Sequence, residues 1–167
     1  MKEIIIKHKK IVIAILIVLL LLILFWDNLP FGNSNNDAEK SAITFVEHML
    51  DGDAKKCTEL MCDDFIDMAG YESTKLFTNA FQKNLDTLIE TYEDKYGKSW
   101  DYKVSVIDSF EYTPEYYEYE GDGELMKVVL KIEHEGGGLF KDKKGTDEIP
   151  LIMQYSDGEW LVYDFPL

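Results

Sequence analysis

The sequence predicts an α+β domain, its helices gathered before its strands, behind an apolar N-terminal segment. Three observations carry this. Apolar residues recur at helical spacing from residue 38 to about 96, and from residue 100 onward they alternate with polar ones. The two periods do not interleave, and that segregation is the signature of helices laid on one face of an antiparallel sheet. Residues 11–26 are apolar without interruption.

That run, IVIAILIVLLLLILFW, holds sixteen residues without a charge. As a helix it covers roughly 24 Å, close to the roughly 30 Å of a bilayer hydrocarbon core. Lys2, Lys7, Lys9 and Lys10 precede it, and only Asp27 follows at once. The positive-inside tendency then keeps the N-terminus in the cytoplasm. The expected organisation is a basic cytoplasmic tail (1–10), an uncleaved signal anchor in the cell membrane (11–27), a linker (28–37) and an extracellular domain (38–167). The rival is a cleaved signal peptide, which has a shorter apolar stretch and small residues at its cleavage site. Here the exit reads FWDNLPFGNSNND, with only Gly32 and Ser34 to serve.

The first helix is expected over Ala38 to Leu50, where Ala42, Phe45, Val46, Met49 and Leu50 form one stripe. Asp37 is its expected N-cap. Asp51-Gly52 stops it, and Asp53 caps a second, short helix carrying Cys57, Leu60 and Met61. Phe65 and Ile66 extend that apolar content until Gly70. A third helix runs from Ser73 to Tyr96 and ends at Gly97. Trp100, Tyr102, Val104 and Val106 then alternate as a strand. Glu124 to Glu135 and Glu148 to Tyr155 repeat the pattern. Asp157-Gly158 signals a tight hairpin. Glu159 to Phe165 is the last strand; being apolar on both faces, it is expected to be central or doubly covered.

From residue 28 onward there are 13 lysines, no arginine and 30 carboxylates, a net charge of −17. Phosphate backbones require a basic stripe, so nucleic acid is excluded as a partner. Two cysteines are too few for a disulfide framework, and Cys57 and Cys62 are expected reduced and at least partly buried. The acidic cluster Asp63, Asp64, Asp67 lacks the spacing of a calcium loop and reads as a solvated turn. No metal site and no cofactor motif is found.

The stretch AITFVEHMLDGDAKKCTELM and the ending SDGEWLVYDF resemble the opening and the closing hairpin of the nuclear-transport-factor-2-like (cystatin-like) superfamily. The resemblance spans Ala38 to Leu167 and is closest to membrane-anchored extracytoplasmic Gram-positive proteins of unknown function. It implies three helices on a curved four-stranded sheet that forms a cone around a pocket. Enzymes of this fold place acid–base residues inside the cone. In this sequence His134 is in phase with Ile132, and Asp164 with Trp160 and Val162. His134, Asp164 and Trp160 are therefore the pocket candidates. No nucleophile elbow or other catalytic motif accompanies them, so catalysis is not expected.

Tyr112, Tyr116, Tyr117 and Tyr119 alternate with glutamates in YTPEYYEYEG and are candidates for an interaction surface. Gly136-Gly137-Gly138 opens what reads as a flexible, lysine-rich loop. The expected role is a membrane-anchored binding or assembly domain, partnered by another membrane or envelope protein or by itself. One alternative is a component of a conjugation or type IV secretion machine. The other is a small-molecule binder or an isomerase- or dehydratase-like enzyme using the cone.

Overall fold

A computed structural model describes residues 34–114 and 123–165. The chain divides into two units, Met1–Ser34 and Asn35–Leu167, and the second holds the fold described below. Its order is α1 (Ser34–Leu50), α2 (Ala54–Glu59), α3 (Asp63–Met68), α4 (Thr74–Tyr96), β1 (Asp101–Glu111), β2 (Leu125–Glu135), a 3₁₀ turn (Gly138–Phe140), β3 (Lys144–Ser156) and β4 (Glu159–Asp164).

The local signals act as their chemistry dictates. The Asp53 carboxylate accepts from the Lys56 amide at 3.1 Å and starts α2. The Ser73 hydroxyl accepts from the Leu76 amide at 3.4 Å and starts α4. α4 ends at Gly97, whose φ of 89° is open chiefly to glycine. Asp157 and Gly158 both have positive φ (52° and 93°), as a tight β-hairpin demands. Asp37 does not cap α1; it lies in the first turn of a helix that begins three residues earlier.

Among the described residues there are four α-helices rather than three. The second apolar stretch breaks at Met61, which leaves helical geometry to form a parallel bridge with Val162. The Val162 amide donates to Leu60 O at 2.7 Å, and the Cys62 amide donates to Val162 O at 3.0 Å. A backbone cannot serve a helix and a sheet at one residue, so α2 and α3 separate there.

The sheet is an antiparallel meander in the order β1-β2-β3-β4. β4 is thus an edge strand, which removes the central position from the two its apolar composition allows, central or doubly covered. Its outer edge is covered by the Leu60–Cys62 link instead of by another strand. β1 and β4 do not pair, so the sheet is open and does not close into the expected cone. Met126, Val128, Leu130, Ile132, Leu151, Met153 and Val162 point from the sheet into one core with Ala42, Phe45, Val46, Phe81 and Leu85 of the helices. Each fully buried Val, Leu or Ile there contributes about 1.5–3 kcal/mol.

Among the described residues no helix is long and apolar enough to cross a membrane. The run Ile11–Trp26 lies outside the described residues. The described residues thus do not carry the expected single-pass topology, cell-membrane location, membrane or envelope partner or membrane-anchored type of relative: they contain no span.

Candidate functional site

One ionisable group is driven deep into the core. His134, near the end of β2, is 1% exposed. Strand alternation aims it at the helices, in phase with Leu130 and Ile132. Tyr102 of β1 and Gly145 of β3 flank it in the register. Tyr92 and Tyr96 reach it from the last turns of α4, with ring centroids at 4.5 and 5.2 Å. Trp100, beyond the helix end, lies at 5.6 Å. Tyr92 and Tyr96 are four residues apart, so they share one helix face and both stack on the imidazole.

Asp147, a diagonal neighbour on β3, completes the group. Its Oδ2 lies 2.9 Å from His134 Nε2 and accepts from the Tyr92 hydroxyl at 3.0 Å. A carboxylate only accepts, so Nε2 carries the proton in neutral His134. The other ring nitrogen, Nδ1, is buried without a partner among the described residues, and so is the Tyr96 hydroxyl. Burial pushes the imidazole pKa below its ordinary value of 6.5, against the opposing pull of Asp147. Burial, helped by the hydrogen bond to Asp147, pushes the Tyr92 phenol up.

Such a cluster positions a neutral imidazole under an aromatic cover. The space in front of the ring is filled by aromatic side chains. A pocket of about 530 Å³ does lie at this end of the sheet, lined by Asp101, Lys103, Glu133, Glu135, Lys144 and Thr146 beside His134. Alternation turns those six side chains to the helix-free face, away from the imidazole. Their charges are largely answered locally: Lys131 holds Glu133 at 2.8 Å, and Lys144 holds Glu135.

The other expected site residues are dispersed. Asp164 does not join His134. A bulge between Ile152 and Met153 shifts the β4 register, pairing Val162 with Met153 but Asp164 with Ile152. That irregularity turns Asp164 outward and leaves it exposed, whereas Trp160 and Val162 stay buried. Along β3, Ile152 is seven residues from Gly145, the partner of His134, or roughly 23 Å. Trp160 packs at the far end against Tyr155, with centroids 5.4 Å apart. Tyr112 is half-buried and its amide donates to Leu125 O at 2.9 Å. Tyr116, Tyr117 and Tyr119 lie outside the described residues.

Sequence reading missed Asp147, Tyr92, Tyr96 and Trp100 as partners of His134. A signal for Asp147 existed. Continuing the alternation of Met153, Leu151 and Ile149 one step upstream reaches it, but the expected strand begins only at Glu148.

The helix-free face has a second, apolar part. The register sets Asp108, Val129 and Pro150 in one row, and Phe110, Lys127 and Ile152 in the next. Ile107 stands at the bulge in β1 between Val106 and Asp108. Ile107 is 50% and Phe110 43% exposed, while Val129, Pro150 and Ile152 are half-buried.

No protein-family profile matches the chain, and no curated protein matches it. Among solved structures, it is similar to a Campylobacter jejuni protein described as an NTF2-like transpeptidase. The identity is 15% and the TM-score 0.46, over 75% of this chain and 96% of that one.

Proposed function

We propose that the domain is a non-catalytic protein-binding module whose contact surface is the apolar part of its helix-free sheet face. The exposure of Ile107 and Phe110 beside Val129, Pro150 and Ile152 carries this reading. In a chain this acidic, apolar side chains grouped on a rigid sheet are where an interface forms. The filled interior supports the same reading from the other side. His134 has the identity of an acid–base residue, but its ring is covered by Tyr92, Tyr96 and Trp100. A general base must come within hydrogen-bond reach of the proton it takes.

The test places a photo-crosslinking amino acid at position 110 or 152 in the full chain, with position 83 on the exposed side of α4 as control. Discrete protein adducts from 110 and 152 but not 83 are expected. Absence of such adducts, or a proton-transfer activity lost in His134→Gln, refutes the reading.

A further inference from the structure

Two exposed apolar sets of opposite charge stand at the two ends of α4. At its N-terminal end, Met68, Tyr71 and Leu76 are exposed. Asp63, Asp64, Asp67 and Glu72 surround them in sequence, all exposed, with Lys75 the one nearby cation. None of these four carboxylates has an ion-pair partner among the described residues.

At the C-terminal end is the turn GGGLFKDKK. Leu139 is fully exposed and Phe140 partly so, with Lys143 over the Phe140 ring at 4.8 Å. Lys98 and Lys141 are exposed nearby. This turn is not the flexible loop its glycines suggest. The Gly137 amide donates to Tyr96 O at 3.0 Å, and Phe140 to Gly137 O at 3.0 Å. The Gly136 amide donates to Lys143 O at 2.8 Å, and Lys143 to Phe140 O at 2.8 Å. A Cβ at Gly136 or Gly137 would overlap the backbone of Phe140 or Ser99. The glycines are there for close approach, and they hold a leucine and two lysines out on a rigid turn.

The 23 residues of α4 separate these two sets by roughly 33 Å, so they cannot meet within one molecule. They can meet between two. We infer that the occupant of the acidic Met68/Tyr71/Leu76 patch is the Leu139/Phe140 turn of a second copy of this chain, docked head to tail. Charge complementarity selects this occupant: in a domain of net charge −17, the turn keeps Lys141 and Lys143 exposed against the single carboxylate of Asp142 between them. The contact is heterologous, so a pair still has one free patch, on one copy, and one free turn, on the other, and association propagates or closes into a ring. The surface is distinct from the sheet face proposed above, and its test is independent of that reading.

The test is cysteine crosslinking between full-length chains; the native Cys57 and Cys62 are buried. Leu139→Cys and Leu76→Cys variants are mixed under mild oxidation. A 139–76 disulfide is expected in the mixture, and no comparable dimer from either variant alone. Adding Lys141→Glu and Lys143→Glu to the Leu139→Cys chain lowers the yield about tenfold, the effect of reversing two exposed ion pairs. Adding Asp64→Lys and Asp67→Lys to its Leu76→Cys partner restores it. Absence of the mixed disulfide, equal dimers from either variant alone, or a yield indifferent to the charge reversals overturns the inference.

Discussion

The hydroxyl of Tyr96 occupies the space that a side chain at position 145 would fill. A Cβ built on Gly145 would overlap Tyr96 Oη, and the Tyr96 Cζ would stand 2.9 Å away. Gly145 is also the register partner of His134. The glycine in β3 therefore lets the end of α4 press against the sheet and close the aromatic cover over the imidazole.

Gly145→Ala should push Tyr96 off the sheet and destabilise the domain by about 1–3 kcal/mol, the usual cost of overpacking. In a Tyr96→Phe background the same change should cost less, because the hydroxyl that clashes is gone. Urea unfolding of the two single variants and the double variant measures the non-additivity. Equal costs in both backgrounds would show that Tyr96 is not the neighbour that matters.

His134 should make the domain sensitive to acid. Its folded pKa is depressed below 6.5 by burial, so the unfolded state binds the proton more readily. The stability that comes from keeping the ring neutral is present above about pH 6.5 and is lost as pH falls through the folded value. The many carboxylates also titrate as pH drops, so the informative quantity is a difference. Wild type should lose more stability than His134→Gln between pH 7.5 and 5.0, measured by chemical denaturation. Parallel losses would refute the assignment.

The two aspartates associated with His134, one by phase and one by contact, should separate cleanly. Asp147→Ala leaves the Tyr92 hydroxyl and His134 Nε2–H without their shared acceptor. Its expected cost is about 1–3 kcal/mol. Asp164→Ala removes an exposed carboxylate and should change stability by no more than about 0.5 kcal/mol. Thermal melts at neutral pH would decide, and a larger cost at Asp164 would contradict the register.

The thiols should be silent until the domain opens. Burial pushes the Cys57 thiol up to about 12, and its Sγ–H faces Phe45 O at 3.8 Å. Burial raises Cys62 as well. Since the thiolate is the reactive form, both should resist a disulfide-exchange reagent at pH 8 and react together on unfolding. Rapid reaction of either thiol in the native state would mean that the helix–sheet seam opens locally.

Features that depend on near neighbours along the chain could be read from the residues. The stripe on α1, the cap at Asp53, the stop at Gly97 and the Asp157-Gly158 hairpin were all legible, because helical period, capping and turn chemistry act over a few residues. The inward phase of His134 was legible for the same reason. What the tertiary structure alone decided are events in which distant segments compete for one residue. The Met61–Val162 bridge splits a helical stretch, and the same link covers β4, so an apolar strand stands at an edge. The bulge at Ile152/Met153 reverses the facing of Asp164 and removes it from the pair that phase alone predicts. Alternation fixes a side chain's face only while the ladder is regular, and one extra residue inverts everything beyond it. Tyr92, Tyr96 and Trp100 meet His134 because the end of α4 lands on Gly145, a contact across some fifty residues of chain that no local period encodes.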